Sequence, residues 1–415
     1  MDNSLGGYTL VEKHTSKNGL RIVLENIPSV RSVTIGIWVK TGSRNETEDL
    51  NGVSHFLEHM FFKGTKTRSP QDIAEAFDAI GGQVNAFTSK EYTCFYAKVM
   101  DTHKEKALEI LADMFFNSSF DEEEMAREKK VVLEEIRMYE DTPDDIVHDI
   151  LARASFGDHP LGYPILGTEK QLQSFTPDTL RHYINQRYTP DNVVVSVAGN
   201  VDESFIRTVE NYFSGFQSGG GAKEVEQPEF LGNQIERQKD TEQAHLCLGY
   251  NGLPVDDENM YSLIILNNVL GGSMSSRLFQ EVREKQGLAY AVFSYHASFI
   301  DNGLLTIYAG TGKEQLPQLK DTINRTIDNL IANGLTDKEL KNSKEQLKGN
   351  LMLSLESTSS RMSRNGRNEL LLNKHRSLDD MIAEIDAVTH ENMQQVIDST
   401  FRHAPSSALI APETA

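Results

Sequence analysis

The sequence has 415 residues, of which 38% are hydrophobic, and its formal net charge is -20 at pH 7. A chain of this length and composition can bury large cores and usually divides into two domains, which argues against a disordered protein. The negative charge argues against binding to nucleic acid or to an anionic membrane, because phosphate groups would be repelled. A basic partner fits this charge better, although an acidic surface more often serves solubility alone.

The cysteine content and the N-terminal segment bear on the cellular location. Cys94 and Cys247 are too few and too far apart for a disulfide framework, which indicates a reducing compartment. Residues 1–20 lack the apolar core of a signal peptide, and no run of about 18 apolar residues occurs in the sequence. We therefore expect a soluble, cytoplasmic protein.

The first half of the chain alternates strand patterns with helix patterns. The predicted elements are half-buried strands at 20–26 and 33–39, a turn at 42–45, a helix from about Gly52, strand material with a polar turn at 84–99, and helices at 103–116 and 121–140. Asp121 and Glu124 form a capping pair for the last helix, and Thr142 before Pro143 ends it. Strands mixed with helices in this order predict an α+β fold.

The second half of the chain repeats this order. Residues 244–250 alternate like 33–39, residues 258–272 match 50–64 at an offset of 208, residues 335–351 match 119–135 at 216, and residues 397–411 match 184–198 at 213. Similar offsets indicate duplication of one α/β unit. We therefore predict two homologous domains, at 1–214 and 233–415, joined by a glycine-containing linker at 215–232.

Residues 55–59, HFLEH, place two histidines four positions apart with a glutamate between them. On a helix, His55 and His59 share one face, and Glu58 lies on the flank of that face. Imidazole nitrogens bind zinc, and a catalytic zinc ion usually takes three protein ligands and leaves one position for water. Glu58 is placed to remove a proton from that water. The alternative is a buried helix whose histidines find ordinary hydrogen-bond partners.

The last predicted helix of the first half offers a third ligand. Val131 and Val132 mark its predicted buried stripe, and Glu134 or Glu135 returns to that face three or four positions later. Glu128, seven residues before Glu135, shares the same face. Carboxylates on an inward stripe are costly unless a positive group meets them. The competing interpretation is a solvated, charge-rich helix, and the spacing leaves both interpretations open.

The duplication provides an internal control for the metal hypothesis. At the offsets above, the positions that correspond to His55, Glu58, His59 and Glu135 are mainly apolar, namely Leu263, Leu266, Asn267 and Leu351. Residues needed only for the fold would be similar in both halves. We therefore expect the first half alone to hold a site.

The inverted motif, with Glu135 76 residues after His59, resembles the zinc metallopeptidases of the pitrilysin superfamily. The likeness covers nearly the whole chain and is greatest to the catalytic subunit of mitochondrial processing peptidase and its bacterial homologues. It implies two duplicated α/β halves, each a mostly antiparallel sheet covered by helices, that form a clamshell around a central cavity. It also implies one Zn²⁺ per chain, bound by His55, His59 and Glu135, with Glu58 as the general base and Glu128 orienting a ligand or the base.

The resemblance also implies substrate contacts. Asn85 and Ala86 match an edge strand that pairs with an extended peptide, and Phe62 matches a position that lines the pocket for the residue after the cut. In REKQGLAY (283–290), Arg283 would bind substrate carbonyls and Tyr290 would stabilise the developing oxyanion. Without the resemblance, these positions would be an ordinary edge strand, a core residue and a helix-to-strand turn.

Asp145 and Asp149 match acidic residues that recognise an arginine two residues before the cleavage point. They lie four positions apart on a helix that begins at Pro143, so one guanidinium can bridge both; a solvated helix face is the alternative. The resemblance thus implies a zinc endopeptidase with a preference for basic, extended peptides, and the net negative charge agrees with this preference. We expect the protein to work as a homodimer. The alternative function is a non-catalytic scaffold or a peptide-binding subunit of the same fold.

Overall fold

A computed structural model describes residues 11–217 and 225–412. The central part of the predicted linker, residues 218–224, lies outside the described residues. The chain forms two compact units. The first unit comprises the chain up to Ile136, Pro164–Val225 and Met352–Leu378, and the second comprises Arg137–Tyr163, Glu226–Leu351 and the chain from Asp379.

The secondary structure follows the predicted alternation. The strands are β1 (Glu12–Thr15), β2 (Arg21–Asn26), β3 (Ser32–Val39), β4 (Gln83–Thr88), β5 (Thr93–Met100), β6 (Val193–Gly199), β7 (Gln234–Gln238), β8 (Ala244–Asn251), β9 (Ala289–Ser298), β10 (Gly303–Thr311) and β11 (Ser406–Ala411). The helices of the first half are α1 (Val53–Met60), α2 (Pro70–Asp78), α3 (Lys104–Asn117), α4 (Glu122–Glu140), α5 (Pro143–Phe156), α6 (Glu169–Ser174), α7 (Pro177–Arg187) and α8 (Ser204–Tyr212). Those of the second half are α9 (Met260–Leu270), α10 (Leu316–Asn333), α11 (Asp337–Ser354), α12 (Thr358–Leu372), α13 (Leu378–Ala387) and α14 (His390–Thr400). Within the described ranges, every helix is too short or too polar to cross a lipid bilayer.

Each unit contains one mixed sheet. The sheet of the first unit has the strand order β1-β2-β6-β3-β5-β4, and that of the second unit has the order β7-β11-β8-β10-β9. In each sheet one pair is parallel, β2 with β6 and β7 with β11, and the other pairs are antiparallel. The first sheet without β1, in the order β2-β6-β3-β5-β4, therefore has the same topology and strand directions as the second sheet, in the order β7-β11-β8-β10-β9. This agreement confirms the predicted duplication and the mostly antiparallel sheets.

Both faces of the first sheet are covered. On one face, the apolar residues of α1, α3, α4, α7 and α8 form the larger core. On the other face, α12 packs against β3 and β6, where Nε1 of Trp38 donates a hydrogen bond to Sδ of Met362 (3.2 Å). The helix approaches closely because position 366 is glycine: a Cβ there would lie 2.3 Å from Nε1 of Trp38. The prediction of half-buried strands at 20–26 and 33–39 was therefore wrong for their interiors, since α12 covers the second face.

The compact units differ from the sequence halves predicted at 1–214 and 233–415. Helix α12 follows the second sheet's hairpin in the chain but covers the first sheet, and α5 belongs to the first half but packs against β8 and β11 of the second unit. A helical pattern shows which residues share a face but not which sheet that face covers. The boundaries of the two units consequently depend on packing between distant parts of the chain.

Candidate metal centre

Helix α1 presents both histidines of the motif on one side. Its residues Val53, Phe56, Leu57 and Met60 are buried in the larger core. The ring centroids of His55 and His59 lie 4.7 Å apart, as the four-residue spacing predicts. The short helix therefore combines an apolar face that packs into the core with a face that carries two imidazoles.

Helix α4 brings a carboxylate to these imidazoles. Oε2 of Glu135 lies 3.7 Å from Nε2 of His55 and 3.4 Å from Nε2 of His59. Glu134, which the spacing left as an alternative, is exposed. The structure thus brings together the three residues that the motif and the resemblance single out.

The buried stripe of α4 differs from the prediction at one position. Its buried members are Met125, Glu128, Val132 and Ile136, which follow the helical period, whereas Val131 is 54% exposed. The placement of Val131 in the stripe was wrong because the buried positions of α4 follow one another at intervals of three or four residues, and Val131 falls outside this series. At the start of the helix, Asp121 accepts hydrogen bonds from the amides of Glu123 and Glu124 (2.9 and 3.0 Å), as its predicted capping role requires. The Glu124 carboxylate pairs instead with Arg127.

The donor set fits a zinc ion. One donor atom each from His55, His59 and Glu135 lies within 4.8 Å of the other two. Ligand atoms bound at about 2.0–2.2 Å in tetrahedral geometry lie roughly 3.3–3.6 Å apart, close to both observed distances to Glu135. Two imidazoles and one carboxylate are also a known catalytic zinc set that leaves a position for water.

A second carboxylate orients His59. Nδ1 of His59 donates to Oε1 of buried Glu128 (2.8 Å), and Nζ of Lys63 lies 2.7 Å from Oε2 of the same carboxylate. This bond fixes the ring and leaves Nε2 of His59 for a metal ion. Burial alone would raise the pKa of Glu128, but His59 and Lys63 outweigh it and lower the pKa. The ion pair of Lys63 with Glu128 was not predicted from the sequence. The position of Lys63, four residues after His59, was the available signal for a place near the site.

Thr88 holds the carboxylate of Glu58. Its hydroxyl, at the end of β4, donates a 2.6 Å hydrogen bond to Oε2 of Glu58. Burial is the main cause that raises the pKa of Glu58, and the bond from Thr88 opposes it. A raised pKa makes a carboxylate a better proton acceptor near neutral pH. The role of Thr88 was not predicted from the sequence, because Glu58 lies 30 residues away. The alternation of side chains along β4 was the available signal for the face on which Thr88 lies.

The two histidines differ in their tendency to be protonated. Burial, with a further contribution from His59, lowers the pKa of His55 to about 4. Burial also acts to lower the pKa of His59, but Glu128 and Glu135 outweigh it and raise this pKa to about 9. The carboxylates of Glu128 and Glu135 therefore favour a positive charge at His59, whereas the neighbouring imidazole of His55 stays neutral.

Strand β4, beside α1, is an edge strand of the first sheet. Among the described residues it pairs only with β5, which agrees with the edge strand that the resemblance implies at Asn85 and Ala86. The side chain of Asn85 is exposed and its Oδ1 accepts a hydrogen bond from the amide of Ala86 (2.8 Å). Phe62 is half-buried and packs against the larger core. Their contacts with substrate remain predictions.

The remaining predicted residues lie in the second unit. Arg283 belongs to a π-helical segment, Phe279–Glu284, and its guanidinium lies 4.6 Å from the ring centroid of Tyr290, which is 79% exposed. On α5, Asp145 is exposed and Asp149 is half-buried. Burial and the negative charges of Asp149 and Asp145 raise the pKa of Tyr139, so both carboxylates influence the same phenol group. The structure thus brings together the members of each pair, and their roles in substrate binding remain predictions.

Comparison with known proteins assigns the chain to a family. The family model described as insulinase (peptidase family M16) matches residues 21–169. A second family model, described as peptidase M16 inactive domain, matches residues 174–347. The chain is 61% identical over 403 residues to the uncharacterized zinc protease YmxG of Bacillus subtilis, across 97% of this chain and 98% of that protein. It is 43% identical over 423 residues to an uncharacterized zinc protease of Streptomyces coelicolor, across 98% of this chain and 90% of that protein.

Solved structures show the same fold. A protease from Helicobacter pylori has 24% identity and a TM-score of 0.90, with 98% of this chain and 100% of that chain covered. A protein from Pseudomonas fluorescens, described as a peptidase M16 inactive domain, has 21% identity and a TM-score of 0.91, with 98% and 99% covered. These structures support the fold of two α+β units. The family models and the sequence relatives confirm that the chain belongs to peptidase family M16, the insulinase family of the pitrilysin superfamily.

Proposed function

We propose that the protein is a zinc-dependent endopeptidase that cleaves extended peptides. The observation that carries this proposal is the convergence of His55, His59 and Glu135, with Glu58 on the same helix and an edge strand beside it. The names of the Bacillus and Streptomyces relatives, both zinc proteases, support the same function. His55, His59 and Glu135 would hold one zinc ion per chain.

Bound zinc would polarise the scissile carbonyl and lower the pKa of a water molecule. Glu58 would accept the proton of that water on its carboxylate and then donate it to the leaving amine. Thr88 holds Oε2 of Glu58, so the other oxygen is the one available for the proton. Glu128 keeps His59 in the orientation that a ligand needs.

The substrate preference is the finer part of the proposal. An extended peptide would add to β4 at Asn85 and Ala86 by main-chain hydrogen bonds. Asp145 and Asp149 would bind a basic side chain of the peptide, which the net charge of -20 also favours.

Three further residues would contact the substrate. Arg283 would bind peptide carbonyls, and Tyr290 would stabilise the developing oxyanion. Phe62 would line the pocket for the residue after the cut. A homodimer in the cytoplasm and a close likeness to the processing peptidases remain predictions from the sequence.

The test is the variant Glu58→Gln, compared with the wild type in zinc content and in cleavage of a basic fluorogenic peptide. We expect both proteins to bind one equivalent of zinc and the variant to lose turnover by several orders of magnitude, because no other group replaces the proton acceptor. Full turnover in the variant would remove Glu58 from this role. A wild type that binds the peptide without cleaving it would instead support a non-catalytic peptide-binding subunit.

A further inference from the structure

Glu46 is a buried carboxylate outside the set of residues assigned above. Its side chain is 3% exposed, and it follows a short 3₁₀ turn, Ser43–Asn45, ahead of α1. Its oxygens accept hydrogen bonds from Nδ2 of Asn51 (3.0 Å), the amide of Gly52 (2.8 Å) and the amide of Ser54 (2.8 Å). These donors are neutral groups, so within residues 11–217 and 225–412 the Glu46 carboxylate is satisfied by hydrogen bonds and not by an ion pair.

The partners of Glu46 lie at the first turn of α1. A helix leaves its first amides without intrahelical partners, and usually the side chain of the N-cap residue satisfies one of them. The N-cap of α1 is Gly52, which has no side chain to do so. Glu46 supplies this cap from outside the helix, and its negative charge also suits the positive end of the helix dipole.

The N-cap position cannot carry a capping side chain of its own. Gly52 has a φ of +92°, and a Cβ there would lie 2.7 Å from the carbonyl oxygen of Leu166 and 2.9 Å from Cα of Gly167. Serine or aspartate, the usual capping residues, would therefore clash with the chain at 166–167. The close approach at Gly52 makes the cap from Glu46 necessary.

The capped turn leads directly into the metal ligands. The amide of Ser54 donates a hydrogen bond to Glu46, and Ser54 is the residue before His55. Helix α1 has only eight residues, so both histidines lie close to this bond. The Ser54 hydroxyl lies 3.0 Å from the hydroxyl of Tyr183, which lies 2.8 Å from Oγ1 of Thr41. The first turn of α1 is thus held at a fixed place, and a small shift of this turn would move both imidazoles relative to Glu135.

We propose that Glu46 is a positioning residue for the zinc site: by capping α1 it sets the place of His55 and His59 relative to Glu135. The proposal rests on the zinc-dependent function above. It assigns to Glu46 no contact with substrate and no share in proton transfer.

The test compares Glu46→Gln with a matched control, Glu25→Gln. Glu25 is equally buried at 3% exposure in the same unit, but it bonds to Arg361 and to Nδ2 of Asn365 (2.7 Å) on α12. Zinc affinity is measured by competition with a chromogenic chelator, and the absorption bands of the Co²⁺-substituted proteins report ligand geometry. Denaturant unfolding of the metal-free proteins measures stability.

We expect both variants to be less stable than the wild type, but only Glu46→Gln to weaken zinc binding, by about tenfold or more, and to change the Co²⁺ bands. Glutamine has one acceptor oxygen, and its amide nitrogen would face backbone N–H donors. A zinc affinity and Co²⁺ spectrum equal to those of Glu25→Gln would overturn the proposal. Wild-type protein without bound zinc would overturn the proposed function itself, which separates the two failures.

A second variant keeps the test decisive if Glu46→Gln does not fold. Glu46→Asp retains the charge, but its shorter side chain cannot reach both Gly52 and Ser54. We expect a lower zinc affinity than in the control Glu25→Gln, together with a lower kcat and an unchanged KM, since Glu58 lies on the same helix. Unchanged affinity in Glu46→Asp would overturn the role of Glu46.

Discussion

The hydroxyl of Thr88 donates a 2.6 Å hydrogen bond to Oε2 of Glu58, which ties the end of an edge strand to the helix that carries both histidines. We predict that Thr88→Val lowers kcat by about 10- to 100-fold, since a hydrogen bond to a charged group contributes about 1.5–3 kcal/mol. KM and zinc content should change little. Thr88→Ser keeps the hydroxyl and serves as the control. Equal kcat values for the valine and serine variants would contradict the prediction.

The neighbouring glutamates of α4 provide a matched pair for the third ligand. Glu135 faces the imidazoles at 3.4 and 3.7 Å, whereas Glu134 is exposed. Glu135→Gln should weaken zinc binding by more than about 100-fold, because loss of a direct ligand costs more than loss of an outer partner. Glu134→Gln should bind zinc like the wild type. Isothermal titration of the metal-free proteins with zinc measures both affinities, and an unaffected Glu135→Gln would exclude that residue as a ligand.

Asp145 and Asp149 are predicted to select basic peptides. In the double variant with asparagine at both positions, kcat/KM should fall by about tenfold or more for a peptide with arginine two residues before the cut, since charge-assisted hydrogen bonds are lost. The same peptide with methionine in place of arginine should be cleaved as by the wild type. Asp144→Asn, which changes an exposed carboxylate in the first turn of the same helix, is the control. An equal loss with both peptides would indicate general damage and not a lost preference.

Glu339 forms an ion pair that makes the stability of the second unit depend on pH. Its carboxylate accepts hydrogen bonds from Nε and Nη2 of Arg277 (2.7 and 2.8 Å) and from the amide of Thr336 (2.8 Å). Burial acts to raise the pKa of Glu339, but Arg277 and Thr336 outweigh it and lower the pKa to about 2, from 4.5. A depressed pKa stabilises the fold above the unfolded pKa, and the contribution is lost as the pH falls from about 4.5 towards 2.

Glu339→Gln should therefore lower the free energy of unfolding by about 1–3 kcal/mol at pH 7, and the deficit should shrink between pH 4.5 and pH 2. Urea unfolding at several pH values measures this difference. The control is Glu345→Gln, which removes a 67% exposed partner of Lys348 and should cost less than about 1 kcal/mol. A deficit that stays constant down to pH 2 would contradict the assignment of the shift to Glu339.

The local elements of the site follow from the sequence, because they depend on residues close together in the chain. The four-residue spacing of His55 and His59 requires a shared face once α1 forms, and the acidic residues of α4 follow the helical period in the same way. The order of strands repeats in both halves because the apolar patterns repeat. The family resemblance could be recognised on these features alone.

Only the tertiary structure decided the relationships between distant residues. It set the distances between Glu135 and the two imidazoles, exposed Val131, and brought Thr88 to Glu58. It also placed α5 and α12 on the sheets of the opposite sequence halves, so that strands with an alternating pattern became buried on both faces. The physical reason is that periodicity determines which side chains share a face, whereas the partner of that face depends on contacts between segments far apart in the chain.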